Sequence, residues 1–280
     1  MKIFNTISET REYLKSKRKE GLSIGFVPTM GALHQGHVSL ISRARAENDV
    51  VVCSIFVNPT QFGNAEDLKK YPRTLEADAL LLEKATCDVI FAPSSDEMYV
   101  SMPELKFDFG KLEHVMEGKY RAGHFNGVGT VVSKLFHITN PNKAYFGLKD
   151  LQQVAVLNRL VKDLSFDLKL IPCPIVREKD GLAMSSRNRR LSKEARVLAP
   201  QIHKSLQIAK EAISEGFSST QSKEKVAEYF KKFPAFELEY FEISDFENLE
   251  PLSSKNKEGK TAICIAAYLD NVRLIDNVVF

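Results

Sequence analysis

Short apolar runs that alternate with amphipathic segments are the feature that most constrains how this chain can fold. Val50–Val57 is almost continuously apolar, as parallel strands tend to be because both of their faces are covered. Between such runs, apolar residues recur at helical spacing. The alternation predicts a Rossmann-like parallel sheet with helices on both faces. The predicted strands are 23–27, 50–57, 88–92, 144–146 and 168–171, and the predicted helices are 38–47, 74–84, 127–138 and 151–162.

The pattern changes in the last third of the chain, where helices are followed by strands. Helical spacing extends over 193–214, where Pro200 should kink or delay the helix, and over 222–232. Runs typical of strands then follow at 236–244, 261–269 and 272–275. This order indicates a separate domain. We therefore expect an α/β chain with a first, Rossmann-like domain (1–176) and a smaller α+β C-terminal domain (177–280).

The composition argues against a nucleic-acid-binding or membrane protein. A chain of 280 residues is long enough for two domains, and its net charge of +3 is too small to suggest a nucleic-acid partner. No apolar run approaches the ~20 residues that span a bilayer, and the N-terminus lacks the apolar stretch of a signal peptide. The four cysteines are far apart in sequence, which predicts reduced thiols in a cytoplasmic protein.

The segment Phe26–His37 joins a predicted strand to a predicted helix, a common place for nucleotide phosphates in α/β sheets. Gly31 and Gly36 let the backbone turn sharply and approach a ligand. His34 and His37 can lie on one side of the first helical turn and donate hydrogen bonds to phosphate oxygens. Two histidines at the start of a helix could equally be satisfied by solvent, and their spacing alone leaves both interpretations open.

Other polar clusters also follow predicted parallel strands. Asn58–Gln61 follows the second strand and Gly147–Asp150 follows the strand at Tyr145, so both should reach the ligand-binding edge of the sheet. Each has a simpler interpretation as well. Gln61 could be an ordinary loop residue, Lys149 a solvated lysine, and Asp150 with Gln153 a variant of a capping box.

The segment Asp180–Arg190 offers two hydroxyls and three guanidinium groups near the expected domain boundary. Arginine side chains suit phosphate, and a loop at a boundary can close over a substrate. Alternatively, Ser192 caps the next helix and the arginines are solvated.

Six segments, in this order along the chain, resemble the pantothenate synthetase (pantoate–β-alanine ligase) family, a branch of the nucleotidyltransferase superfamily with a His-x-Gly-His motif. The first contains the nucleotide-binding signature, and the resemblance as a whole extends over nearly the whole chain. They are Pro28–His37, Phe56–Phe62, Tyr71–Thr74, Gly123–Val128, Phe146–Gln153 and Ala183–Asn188.

The resemblance implies a role for each matching residue. His37, His34 and Lys149 would be catalytic, with His37 as the proton donor. Pantoate would contact Gln61 and Gln153, and β-alanine would contact Gln61. The residues that would bind ATP are Met30, Gly31, Ala32, Leu33, His34, Gln35, Gly36, His37, Gly147, Leu148, Lys149, Asp150, Val176, Met184, Ser185, Ser186 and Arg187.

The resemblance also implies ATP with Mg²⁺, a homodimer, an ATP- and pantoate-binding domain at 1–176 and a lid domain at 177–280. No residue is identified as a metal ligand. Two positions depart from the family pattern, Asn126 where an acidic residue is common and His137 where Asn is common, and we expect only local consequences.

The expected reaction is condensation of pantoate with β-alanine through a pantoyl-adenylate, releasing pyrophosphate and AMP. Two alternatives remain at this stage. A simple nucleotidyltransferase would keep the nucleotide in its product, and the first motif alone does not exclude it. An RNA-binding module would use Arg187, Arg189, Arg190 and Arg196, but no aromatic stacking platform accompanies those arginines.

Overall fold

The computed structural model describes residues 1–63 and 65–280. The described chain forms two compact units, the first made of Met1–Leu148 and Val156–Pro174 and the second of Lys149–Ala155 and Ile175–Phe280. The segment 149–155, which the sequence analysis assigned to the first domain, thus belongs to the second unit. The functional division at 176/177 stays a prediction.

The first unit contains a six-stranded parallel sheet in the order β1-β4-β3-β2-β5-β6. The Rossmann-like sheet expected from the sequence is therefore confirmed. Its strands are β1 (Lys2–Phe4), β2 (Ile24–Thr29), β3 (Val50–Ile55), β4 (Val89–Phe91), β5 (Lys143–Gly147) and β6 (Lys169–Cys173).

The register of this sheet brings several chain segments to one edge. Thr29 at the end of β2 lies beside Ile55 at the end of β3, and Phe26 pairs with Ala144 on the other side of β2. The carboxyl ends of β2, β3 and β5 therefore face the same way. The strands are held in place by a core of apolar side chains from both the sheet and its helices, among them Val27, Val51, Cys53, Ile90, Leu33, Ile41, Ala44 and Leu82.

The predicted helices are present with shifted ends. The helix expected at 38–47 begins at Gln35, because its first turn is capped by side chains that precede the apolar pattern. Strand β1 and the helix Ile7–Lys19 were not predicted from the sequence. Several short helices were not predicted either, because they are too brief for a periodic signal. The helices are α1 (Ile7–Lys19), α2 (Gln35–Glu47), α3 (Ala65–Lys70), α4 (Leu75–Lys84), α5 (Ser95–Met98), α6 (Met116–Tyr120), α7 (His124–Thr139), α8 (Leu151–Asp163), α9 (Lys193–Leu198), α10 (Gln201–Ser214) and α11 (Ser219–Phe230).

The second unit contains an antiparallel sheet of β7 (Phe236–Asp245), β8 (Thr261–Leu269) and β9 (Val272–Val279). The expected α+β domain is therefore confirmed as a fold class. The single helix expected over 193–214 is instead two helices, α9 and α10, because Pro200 interrupts the helix and stands at the start of α10. Apolar side chains of α10 and α11 pack on the sheet, among them Leu206, Ile213, Val226 and Phe230 against Ile263 and Ile265.

All four cysteines are free thiols and are buried. Among the described residues, none of the helices combines the length and apolar character needed to cross a membrane.

Candidate active site

The loop that follows β2 has a backbone shape that few sequences permit. Gly31 has φ +81° and Ala32 has φ 50°, both in the left-handed region. A Cβ on Gly31 would lie 3.1 Å from both Asp78 Oδ2 and Ile55 Cγ2, so a larger residue would be strained and crowded. The loop therefore lies tightly against α4 and the end of β3.

The side chain of Asp78 on α4 binds the backbone of this loop. Its carboxylate accepts hydrogen bonds from the backbone N–H groups of Ala32 (2.9 Å) and Leu33 (2.8 Å) and from the Thr74 hydroxyl (3.2 Å). Only 1% of Asp78 is exposed. Sequence reasoning did not single out Asp78, because an acidic residue in the first turn of a helix is common and its partners are 45 and 46 residues away.

His34 and His37 form a reciprocal capping box at the start of α2. His34 Nδ1 accepts from Gly36 N at 3.1 Å, and His37 Nδ1 accepts from His34 N at 3.3 Å. A ring nitrogen that accepts from a backbone N–H carries no proton, so the neutral form of each imidazole has its proton on Nε2. The two ring centroids are 4.1 Å apart.

This arrangement makes the start of α2 a suitable place for an anion. The amino end of a helix carries a partial positive charge, and two Nε2–H groups add hydrogen-bond donors beside it. The two histidines can therefore cap the helix and also donate to phosphate. The cap uses Nδ1 of each ring as an acceptor, and the proton lies on Nε2.

Gln61 has its side-chain orientation set by two neighbours. Asn58 Nδ2 donates to Gln61 Oε1 at 3.1 Å, and Gln61 Nε2 lies 3.3 Å from Met30 Sδ. With its oxygen occupied by Asn58, Gln61 presents its NH₂ group on the side of Met30 and the loop after β2. The structure thus brings Gln61 together with the loop that carries His34 and His37, as the adjacent ends of β2 and β3 predicted.

The backbone of Gln61 is held by α7. His124 Nδ1 is 3.0 Å from the Gln61 carbonyl oxygen, and its Nε2 is 3.0 Å from Arg121 Nη1. Since a carbonyl only accepts and a guanidinium only donates, the His124 proton lies on Nδ1. Gly127 permits the approach of this helix, because a Cβ there would lie 2.3 Å from the Thr60 carbonyl oxygen.

Gly147 ends β5 in the first unit, and a short 3₁₀ helix, Leu148–Asp150, leads from it into α8. Asp150 directly precedes Leu151, the first residue of α8, and this is the position at which the sequence suggested an N-cap. In the second unit, Lys149 Nζ is 3.7 Å from Asp150 Oδ1, and the Lys149 side chain is 18% exposed. Gln153 lies in the first turn of α8 and is half-buried.

Val176 and Met184–Arg187 belong to a second segment of the second unit. Met184 N donates to the Val176 carbonyl at 3.0 Å, which places these two residues side by side. Ser185 caps the 3₁₀ helix Ser186–Arg190 by accepting from Arg187 N at 3.3 Å. Its hydroxyl acts there as an acceptor and can still donate its own proton.

The alternative interpretation of the following residues is correct in part. Ser192 caps α9, accepting from Ala195 N at 3.2 Å. Arg189 and Arg190 are exposed, whereas Arg187 is half-buried.

Comparison with known proteins decides the family. A sequence profile described as pantoate-beta-alanine ligase matches residues 2–279. The chain belongs to the pantoate–β-alanine ligase family. The resemblance found from the motifs is thus confirmed, and the activity of the family, synthesis of pantothenate from pantoate, β-alanine and ATP, is the activity of this chain.

Individual members of the pantoate–β-alanine ligase family match along their whole length. A pantothenate synthetase from Cytophaga hutchinsonii is 48% identical over 275 residues, which are 98% of this chain and 97% of that protein. The crystal structure of pantothenate synthetase from Thermus thermophilus has a TM-score of 0.92 at 42% identity and covers 99% of both chains. The ligase from Francisella tularensis, solved in complex with beta-gamma ATP and β-alanine, has a TM-score of 0.83 at 38% identity, covering 100% of this chain and 97% of that one.

Each of the two residues that depart from the pantoate–β-alanine ligase pattern contacts a neighbouring residue. Asn126 Oδ1 accepts from Phe107 N at 2.8 Å, a hydrogen bond that the oxygen of an acidic side chain could also accept. His137 is exposed on α7, with its ring centroid 5.1 Å from that of Phe166.

Proposed function

We propose that the pantothenate synthesis catalysed by this chain proceeds through a pantoyl-adenylate. The pantoate carboxylate attacks the α-phosphorus of ATP and pyrophosphate leaves. The amine of β-alanine then attacks the acyl carbon, loses a proton and expels AMP. The carboxylate is already ionised at neutral pH, so the first step needs no general base. What it needs is cations and hydrogen-bond donors on the phosphates, because two anions approach each other and charge accumulates on pyrophosphate.

The capping box of His34 and His37 carries this proposal. Each ring is oriented by a backbone N–H on Nδ1, so each presents Nε2–H as a preorganised donor at the positive end of α2. We assign His37 as the donor to the departing pyrophosphate, with His34 and Lys149 holding the phosphates. The wider set proposed to bind ATP is Met30, Gly31, Ala32, Leu33, His34, Gln35, Gly36, His37, Gly147, Leu148, Lys149, Asp150, Val176, Met184, Ser185, Ser186 and Arg187.

Pantoate and β-alanine are assigned to the amide side chains. Gln61 has its NH₂ group oriented by the bond from Asn58 to its oxygen, which suits a hydroxyl or carboxylate acceptor on pantoate. We propose that Gln61 and Gln153 bind pantoate and that Gln61 also contacts β-alanine. We further propose that 184–187 closes during the reaction, since a reactive anhydride must be shielded from water. We also propose that 1–176 is the ATP- and pantoate-binding domain and that 177–280 acts as a lid domain.

Mg²⁺ is proposed as part of the substrate MgATP. Within residues 1–63 and 65–280, no three His, Cys, Asp or Glu side chains are grouped as metal ligands would be. The phosphate oxygens of ATP are themselves the ligands that Mg²⁺ prefers, so the ion does not need a cage built by the protein.

The remaining proposals concern the state of the protein. We propose a cytoplasmic homodimer that binds neither nucleic acid nor membrane. Exposed apolar side chains between α5 and α6 support the dimer, since Val100, Met102 and Leu105 are 100%, 70% and 69% exposed. Sedimentation at micromolar concentration tests it, and a monomeric mass would contradict it.

The test of the mechanism separates the chemical role of His37 from its role in the cap. His37→Ala should slow adenylate formation at least ~10²-fold, as expected for loss of a transition-state donor. His37→Gln keeps an oxygen that can accept from the His34 N–H, as Gln does at this position of a capping box. If His37 acts on the phosphates, both variants lose pyrophosphate release in a single turnover. Recovery of the wild-type rate by His37→Gln would refute a proton-donor role of the imidazole, because an amide can donate a hydrogen bond but cannot transfer a proton to pyrophosphate.

The nucleotide product provides the second part of the test. With ATP, pantoate and β-alanine together, the chain should form AMP and pyrophosphate, and omission of pantoate should abolish both. Pyrophosphate release with the nucleotide retained in the final product would contradict the ligase mechanism.

A further inference from the structure

Strand β9 carries two adjacent buried polar residues that none of the roles above explains. Asp276 and Asn277 are each 3% exposed, in a strand whose preceding residues Leu274 and Val272 belong to the apolar core. A buried carboxylate is costly unless it is paired and hydrogen-bonded. The partners of Asp276 and Asn277 therefore indicate what the pair is for.

Asp276 forms a two-pronged ion pair with Arg177. Arg177 Nη1 donates to Asp276 Oδ2 at 2.6 Å and Nη2 donates to Asp276 Oδ1 at 3.0 Å. The same guanidinium also donates to the carbonyls of Gly181 (3.1 Å) and Asn277 (3.1 Å). The position of the Arg177 guanidinium and the orientation of its plane are thus fixed, because a guanidinium that is hydrogen-bonded through both Nη1 and Nη2 cannot rotate freely.

Arg177 lies in a small hairpin that carries two of the proposed ATP-binding segments. It pairs with Ala183 across the hairpin, and Glu178 N donates to the Leu182 carbonyl at 2.8 Å. Val176 precedes Arg177 on one arm, and Met184 follows Ala183 on the other. Holding Arg177 therefore holds Val176 and the start of 184–187 together.

Asn277 reaches the third proposed segment. Its Nδ2 donates to the Lys149 carbonyl at 3.0 Å, and its own N–H donates to Asp276 Oδ1 at 2.8 Å. One dipeptide on the last strand is thus bonded to the peptide of Lys149 and, through Arg177, to the hairpin. Segments far apart in sequence are tied to the same rigid strand.

We propose that Asp276 and Asn277 are positioning residues for ATP: they set the places of Lys149, Val176 and 184–187 without touching the nucleotide. This proposal rests on the proposed function, which assigns those three segments to ATP. A displacement of about 1 Å of a positioned group can reduce a rate ~10²-fold. Loss of either side chain should therefore weaken ATP use more than pantoate use, since Gln61, one of the two proposed pantoate residues, is oriented by Asn58 and Met30 instead.

The experiment compares Asp276→Asn and Asn277→Ala with Glu239→Gln as the control. Glu239 on β7 receives a two-pronged bond from Arg273 of β9, so its change to an amide weakens an ion pair of the same kind in the same sheet. No proposed ATP segment is bonded to Glu239 by the contacts described above. Steady-state KM and kcat are measured for ATP and for pantoate, together with the melting temperature of each variant.

We expect Asp276→Asn and Asn277→Ala to raise the KM for ATP, or lower kcat/KM for ATP, by about tenfold or more. The KM and kcat/KM for ATP of Glu239→Gln should stay within about twofold of the wild-type values, even if its melting temperature falls as far as those of Asp276→Asn and Asn277→Ala. If Asp276→Asn does not fold, Asn277→Ala alone decides, since it removes one amide and leaves the ion pair in place. ATP parameters in Asn277→Ala that match those of the control would overturn the proposal.

Lys149→Met, measured in parallel, separates failure of this inference from failure of the proposed function. If Lys149→Met impairs ATP use while Asp276→Asn and Asn277→Ala behave like the control, the positioning role is wrong and the role of Lys149 stands. If Lys149→Met is normal while the positioning variants are impaired, the assignment of the Lys149 side chain is wrong, and the pair acts through the hairpin and through the backbone at Lys149.

Discussion

Replacement of Asp78 by Asn tests whether a buried carboxylate shapes the loop that carries both histidines. The wild-type side chain accepts three hydrogen bonds, from the N–H groups of Ala32 and Leu33 and from the Thr74 hydroxyl. An amide of the same shape has one oxygen, so in Asp78→Asn the NH₂ group must face at least one donor. One backbone N–H then loses its partner in a site that is 1% exposed.

The magnitude follows from those bonds. A hydrogen bond to a charged group contributes about 1.5–3 kcal/mol, and a buried unsatisfied N–H costs about 1–3 kcal/mol. These contributions overlap, so we expect Asp78→Asn to lower the free energy of unfolding by about 2–4 kcal/mol. Because Gly31 and Ala32 have positive φ, the loop has few other ways to keep its shape, and kcat/KM for ATP should fall about tenfold or more.

Thermal unfolding and ATP-dependent initial rates are the two measurements. The control is Asp88→Asn, since Asp88 also accepts from a backbone N–H (Val51 N, 2.7 Å) but lies before β4, at the amino end of the sheet. We expect both variants to be destabilised and only Asp78→Asn to lose ATP use. Unchanged ATP kinetics in Asp78→Asn, with the melting temperature lowered, would refute the reasoning that this carboxylate shapes the loop with His34 and His37 for ATP use.

Three further predictions concern the substrate, pH and thiol chemistry. Gln61→Ala should raise the KM for pantoate about tenfold or more and change the KM for ATP less, because it removes a hydrogen-bond donor to a charged acid. Steady-state kinetics measure both values, and equal effects on the two substrates would contradict the assignment of Gln61 to pantoate. Hydrogen bonds from Arg43, and then from Lys143 and Tyr145, lower the pKa of Glu47 from 4.5 to about 2. The stabilising contribution of ionised Glu47 is therefore present above about pH 4.5 and is lost as the pH falls toward 2. The melting temperatures of wild type and Glu47→Gln should converge over that range, and a difference that is independent of pH would contradict this. Burial raises the thiol pKa of Cys87 to about 12 and that of Cys173 to about 11, and it also raises the thiol pKa of Cys53. The thiols of the native protein should therefore react slowly with a disulfide reagent at about pH 8, and rapidly once the protein is unfolded.

The regular part of the first unit was predictable because its signals are local. Strand β3 appears in the sequence as a continuous apolar run, and it is found at Val50–Ile55 as a central strand of the sheet. Strand β9 shows the limit of such signals. The predicted strand ends at Ile275, whereas the observed one continues to Val279, because Asp276 and Asn277 are polar yet buried and paired. A polar residue interrupts the pattern from which a strand is inferred, and nothing local reveals its distant partner.

The candidate site divides in a similar way. The loop 30–37 and Gln61 could be located from the ends of predicted strands, since the carboxyl ends of parallel strands share an edge. The proton positions on His34 and His37 could not, because they follow from which ring nitrogen accepts a backbone N–H. Asp78 and His124 could not be found either, since their bonds to Ala32 and Gln61 join residues 46 and 63 positions apart.

Local patterns were sufficient to predict the class of sheet, the order of the motifs and hence the family, because periodicity, glycines and ordered short motifs act over a few residues at a time. The proton positions and hydrogen-bond partners of the candidate site residues depend instead on tertiary contacts. Buried carboxylates such as Asp78 and Asp276 must find donors wherever the folded backbone presents them, and the low-dielectric interior makes that requirement strong. The orientation of a catalytic group therefore depends on partners that only the folded chain brings within reach.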